Sequence, residues 1–235
     1  MKKTVYLLAL SFCFSISAAY AQLTIFNVSS SEITDKHKAS VQQQFEFQDI
    51  INSTTTVTYG LGKFWEAGFN VVNVDYDKSL HHFTKNDTST VDPYAPLLMV
   101  NSQKLFKLNE VLGIGIGGLA GSNFSGKKHF VYYSYANLAA SLYDEHYKLA
   151  AGAYLGNRGY LGEGPIDGVQ LGLDAGIWYE KIHILADWLS GAHPKGQLSA
   201  GLGIYFLKHL PVSVGWQHAN ADGSNGWVLQ VTYVP

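Results

Sequence analysis

Cysteine is almost absent from this chain: Cys13 is the only one in 235 residues, and it lies in a leading apolar stretch. Beyond that stretch, neither disulfides nor thiol chemistry contributes to stability or function. Arginine is equally scarce. Arg158 stands alone, which excludes a channel wall built from an arginine ladder to select polyanions. After residue 21 no uninterrupted apolar run approaches the roughly 20 residues that a membrane-crossing helix needs. Zinc, phosphate-loop and dinucleotide motifs are missing as well. Gly113-Ile114-Gly115-Ile116-Gly117-Gly118 departs from the GxGxxG spacing and lies in an alternating segment rather than at a strand-to-helix turn. No cofactor, metal or catalytic residue is expected.

The amino terminus reads as an export signal. Lys2 and Lys3 precede an apolar segment from Val5 to Ile16, and Ala19-Tyr20-Ala21 before Gln22 fits small-x-small cleavage. Phe12 before Cys13 is too bulky for a lipoprotein site, so a lipid anchor is rejected. Residues 1–21 are expected to be a cleaved signal peptide, 22–39 an amino-terminal tail, and 40–235 one domain. Loss of Lys2 and Lys3 leaves 14 basic against 18 acidic side chains, a formal charge of −4, so nucleic acid is not an expected partner.

What the chain does contain is a rhythm. Leu112, Ile114 and Ile116 alternate with glycines, and Leu198, Ala200, Leu202, Ile204 and Phe206 alternate with Ser199, Gly201, Gly203 and Tyr205. Because strand side chains alternate faces, each segment carries one apolar face and one small or polar face. Twelve such strands are expected near 40–49, 53–60, 65–76, 94–101, 111–121, 129–140, 147–156, 168–178, 182–190, 197–207, 212–219 and 227–234. Ten is the alternative count if the first pair reads differently. Tight turns at 61–64, 104–110, 143–146, 179–181 and 208–211 alternate with longer connections near 77–92, 122–128, 157–166, 191–196 and 220–226. Short turns on one side and long loops on the other are the habit of bacterial outer-membrane barrels. The expected fold is therefore all-β, an antiparallel up-and-down transmembrane β-barrel. Its architectural alternative is a soluble lipid-binding barrel, with the apolar face inside.

Aromatic residues collect at both strand ends. Phe64, Trp65, Phe106, Tyr143, Tyr147, Trp178, Tyr179 and Phe206 lie at the short turns, and Tyr76, Phe130, Tyr132, Trp188, Trp216 and Trp227 towards the other end. Such girdles suit the two membrane–water boundaries. Over most of residues 40–234 the chain resembles bacterial outer-membrane β-barrel proteins. Through Ser31–Phe47 (SEITDKHKASVQQQFEF) and Thr58–Gly68 it also resembles transporter-like barrels of the MetA-pathway of phenol degradation family. The resemblance implies residence in the bacterial outer membrane among its lipids, insertion by barrel-assembly machinery, and passage of hydrophobic or small solutes by a monomer. Trp227, Leu229, Val231 and Tyr233 resemble a terminal assembly strand, although Val234 and Pro235 follow where that pattern ends on an aromatic residue.

With the apolar phase outside, the opposite phase lines the lumen. Its expected members are Gln42, Gln44, Glu46, Gln48, Thr56, Thr58, Asn70, Asn137, Asp174, His183, Asp187, Gln217, Gln230 and Thr232. Neutral amides with a few acids disfavour anion selection and suit neutral or cationic small solutes. Inward glycines at 113, 115, 117, 172, 176, 201 and 203 either leave room for solute or let tyrosines fold across the lumen. The tail either hangs free or packs inside. Asp174 and Asp187 are expected to approach one another, with His183 nearby, across the 179–181 turn.

Two rival functions remain open. A lipid-modifying enzyme needs a nucleophile bonded to a base, and Ser134 and Ser141 have His129 and His146 near in sequence without a spacing that selects a triad. A ligand-binding or structural barrel would act through the loop from Asp77 to Asp92, with His81, His82, Lys85, Asn86 and Asp87. Adjacent His81 and His82 suit a solvated loop better than a shared metal site.

Overall fold

Alternation of faces closes the sheet on itself. The computed structural model describes residues 24–143, 146–178, 181–207 and 209–235. The expected signal peptide and parts of the turns at 144–145, 179–180 and 208 lie outside the described residues.

The strands in chain order are β1 (Ala39–Phe47), β2 (Ile50–Gly62), β3 (Trp65–Asp77), β4 (His82–Phe83), β5 (Leu97–Lys107), β6 (Leu112–Asn123), β7 (Phe130–Leu142) and β8 (Tyr147–Gly156). A one-turn helix, α1 (Arg158–Leu161), precedes β9 (Asp167–Trp178), β10 (Ile182–Leu189), β11 (Gln197–Ile204), β12 (Val212–Ala219) and β13 (Asn225–Tyr233). β4 is a short ribbon on the end of β3. The remaining twelve strands form an antiparallel meander that closes where β1 pairs with β13, Val41 opposite Tyr233 through Phe47 opposite Trp227. Closure removes every sheet edge within the barrel, as lipid requires.

The outward phase is apolar. Ile116, Leu138, Leu149, Leu171, Ile184, Leu202 and Val214 are exposed from successive strands. Trp65, Phe106, Tyr147, Trp178 and Phe206 rim the short-turn end, and Phe130, Trp216 and Trp227 the loop end. Lys104 stretches its ammonium over the Trp65 ring at 4.7 Å and the Phe106 ring at 5.0 Å, the way a long cationic side chain reaches from an apolar surface to water. The apolar phase thus faces outward, the reverse of a soluble lipid-binding barrel.

Several boundaries differ from the sequence expectation. The strand placed at 94–101 runs over Leu97–Lys107 instead. Pro96 has no N–H to give to a ladder, and Asn86 pairs with Ala95 in the loop, while Gln103 and Leu105 continue the inward phase. β1 ends at Phe47, so Gln48 lies in the following turn and not on the barrel wall. β11 stops at Ile204, where Tyr205 turns its ring against His183.

The tail packs inside. From the short-turn rim, where His37 donates its N–H to the Gly60 carbonyl at 2.8 Å, the chain runs up the interior. Its first described residues form a tight bend in which Thr24 and Ser29 bridge antiparallel. Ile25 and Phe26 bury against Leu185 and Val228 in a small apolar cluster within the barrel.

Candidate lumen site

The inner wall of β10, β11 and β12 supplies the centre of the site. Register sets Asp187 opposite Ser199 and Ser199 opposite Gln217. Carboxylate, hydroxyl and carboxamide therefore stand side by side at one level. Asp187 Oδ2 accepts three consecutive backbone N–H groups, from Phe26 at 2.9 Å, Asn27 at 2.5 Å and Val28 at 2.9 Å. The Asn27 amide donates to Ser199 Oγ at 2.8 Å, and its carbonyl accepts from Gln197 Nε2 at 2.9 Å. On the adjoining strands β13 and β1, Thr24 meets Gln230 and Gln42.

Lower in the barrel the tail is held strand by strand. Ser29 donates to Gln103 on β5 at 2.6 Å, and Asn137 on β7 donates to the Ser29 carbonyl at 3.2 Å. Gln103 Nε2 in turn donates to the Glu32 carbonyl at 2.9 Å. Glu32 pairs with Lys148 on β8. Thr34 donates its N–H to Glu66 on β3 at 2.7 Å. The inward glycines make room for this path. A Cβ on Gly115 would stand 2.4 Å from Ser31 Oγ, one on Gly172 2.5 Å from Ile25, and one on Gly215 2.7 Å from Phe26.

The remaining wall residues fall into local groups. Asn70 bonds Thr56 at 2.6 Å and accepts from Asn101 at 2.5 Å, while Gln44 donates to the half-buried Glu46 at 2.9 Å. Asp174 and Asp187 do not pair with each other. The β9–β10 register sets Asp174 opposite Leu185 and Asp187 opposite Gly172, so Asp174 takes His183 Nδ1 at 2.5 Å and Asp187 takes the tail. Gln217 is fully buried, and both of its side-chain polar atoms lack a partner among the described residues.

The loop end is lidded. Asn157 caps α1 by accepting from the Tyr160 N–H at 3.2 Å, and buried Leu161 packs on Tyr133, Tyr154 and Leu189. Lys195 reaches Asn73 at 2.7 Å. His193 Nε2 meets the Tyr154 hydroxyl at 2.8 Å; burial, reinforced by the nearby Lys195 charge, pushes this imidazole's pKa below its usual value. Between lid and tail lies a cavity of about 150 Å³ lined by Gln42, Gln44, Thr56, Asn70 and Tyr135. On the short-turn side of the tail a wider one, about 440 Å³, is lined by Glu32, Lys36, Phe64, Leu112 and Lys148.

Sequence parity found most of the wall but missed residues that hold the tail. Glu66 falls inside the expected strand at 65–76 and shares the phase of Gly68 and Asn70, but was not among the expected lumen residues. Gln103 lay beyond the expected end of its strand. Ser199 shares the inward phase of Gly201 and Gly203 and was legible from it. Neither serine–histidine pair assembles. Ser134 donates to the Leu155 carbonyl, while His129 contacts the Asp87 carbonyl and His146 the Tyr143 carbonyl.

No family model matches the chain, and no curated protein matches it. The likeness to the phenol-degradation barrels rests on residues 31–47 and 58–68 alone. Solved structures match the fold. The KdgM porin, alone and in complex with disordered oligogalacturonate, superposes at TM-score 0.60 with 14% identity over 83% of this chain and 99% of that one. The NanC porin superposes at 0.57 with 9% identity over 84% of this chain and 100% of that one. The chain therefore has the closed, antiparallel, twelve-stranded barrel fold of these outer-membrane porins.

Proposed function

We propose that the protein is a bacterial outer-membrane channel or transporter for small neutral or cationic polar solutes. The observation that carries this reading is the inner wall. It presents amides and hydroxyls with the carboxylates of Glu46, Glu66, Asp174 and Asp187 against Lys148, a strand lysine turned inward, while the sole arginine, Arg158, sits exposed on α1 outside the strands. A wall of that composition favours cations or uncharged donors over anions. The oligogalacturonate of the KdgM complex is not carried over, because an acidic oligosaccharide calls for a basic wall. The apolar outer belt and the matching porin barrels support residence in the outer membrane, with lipid against the belt and assembly machinery inserting a monomer.

Bilayer recordings and solute uptake by reconstituted protein test the reading. In a potassium chloride gradient the reversal potential is expected on the cation side. Absence of conductance and uptake, or a reversal potential set by chloride, overturns it.

A further inference from the structure

Asp187 is a buried carboxylate whose partners among the described residues are neutral donors: three backbone N–H groups and the Asn27 amide. An ammonium placed against this buried anion adds a Coulomb attraction that the amide dipoles lack. Beside it, Ser199 is engaged by the same Asn27, and the amide nitrogen and oxygen of Gln217 have no partner among the described residues. Three N–H groups converge on one carboxylate oxygen. A primary ammonium, with donors that point apart, satisfies that oxygen with a charge-assisted bond while turning its other N–H groups to neighbouring acceptors. The Asn27 carboxamide stands where a second polar group of the same solute would lie.

We propose that Asp187, Ser199 and Gln217 form the barrel's solute site, that its ligand is a small molecule carrying a primary ammonium beside a carbonyl or amide, and that Phe26–Val28 is a tethered stand-in which such a solute displaces. The ammonium replaces the backbone amides as the donor to the Asp187 carboxylate, and the carbonyl or amide reaches Ser199 and Gln217. The proposal deepens the channel reading and rests on it for its physiological meaning, whereas binding is measured independently of conductance. Displacement requires no sheet strand to move, because the tail is held in the interior through side chains and the cavities of about 150 and 440 Å³ flank it.

Val28 is fully buried and reaches Asp187 through its backbone N–H. In a Cys13→Ser background the thiol of a Val28→Cys variant is therefore shielded until the segment leaves its place, and the solute-free rate of that same variant is the reference for every comparison. Alkylation of that thiol by a polar maleimide is measured on detergent-folded protein with glycinamide, acetamide or acetate. A tethered competitor has an effective concentration on the order of millimolar, so glycinamide at tens of millimolar is expected to accelerate alkylation about tenfold. Acetamide and acetate are expected to leave the rate unchanged. With Asp187→Asn added, the basal rate should rise and the glycinamide response vanish; folding is checked by heat-modifiable electrophoretic mobility. Should that variant not fold, the comparison of glycinamide with acetamide on intact Asp187 decides. A rate indifferent to glycinamide, or raised equally by acetamide, overturns the proposal. Conductance of the unlabelled protein is recorded in parallel. Glycinamide-accelerated alkylation without conductance defeats the channel reading and keeps the site, and conductance with unresponsive alkylation does the reverse.

Discussion

Single residues decide how the tail is accommodated. Gly60 lies where the segment enters, and a Cβ there would stand 2.1 Å from the Asp35 carbonyl oxygen and 2.3 Å from that of Thr34. Both are backbone atoms, so the clash has no rotamer to relieve it. Gly60→Ala is expected to cost about 1–3 kcal/mol and to loosen residues 24–38. Trypsin cleavage after Lys36 and Lys38 should then run faster than in the parent, while the barrel itself keeps its heat-modifiable mobility. Period-two parity made Gln42, Asp187 and Gln217 legible as inward residues. What Asp187 touches was not legible. Its partners are backbone amides of a segment that has no periodicity of its own, and an amide N–H leaves no mark in sequence.

Among the elements, the β2–β3 turn is built against local preference. Lys63 and Phe64 both sit at positive φ, 53° and 60°, the conformation a two-residue hairpin demands and that Asn-Gly fills most easily. Phe64 is retained at the rim under the ammonium of Lys107, 4.8 Å from its ring. Lys63 has no such ring contact to keep, and Lys63→Asn is expected to raise stability by about 1 kcal/mol, read from urea unfolding in lipid vesicles. The loop from Ser190 to Gly196 is pH-dependent through His193. Its folded pKa lies below the ordinary value near 6.5, so the unfolded loop binds more protons. The stability it contributes is complete above about pH 6.5 and is lost as pH falls from there through the folded value. Protection factors of residues 190–196, exchange rates referred to the intrinsic rate at each pH, should therefore fall between pH 7 and pH 5, and His193→Phe should remove that dependence. Turn positions were legible from length and composition. The inward fold of the lid was not, since α1 is too short to show a helical period and is fixed by contacts with Tyr133 and Leu189.

For the whole molecule, the outward apolar belt carries the fold. Leu171, exposed near the middle of β9, should tolerate arginine poorly: Leu171→Arg is expected to cost about 2–4 kcal/mol in a bilayer. Unfolding in vesicles measures it, and an unchanged midpoint would place this face in water. The twelve-strand order was readable because each strand obeys one local rule and closure follows from pairing neighbours in turn. The occupied interior was not readable, because it depends on contacts of great sequence separation. Asn27 bonds Ser199 across 172 positions, and Thr24 bonds Gln230 across 206. That separation fixes an order of events. The partners of the tail's inner end lie on β10, β11 and β13, so residues synthesised first settle last, after the carboxy-terminal strands have arrived. Nascent barrels caught before that moment should carry an unoccupied interior, and the slowest step of maturation belongs to the chain's beginning rather than its end.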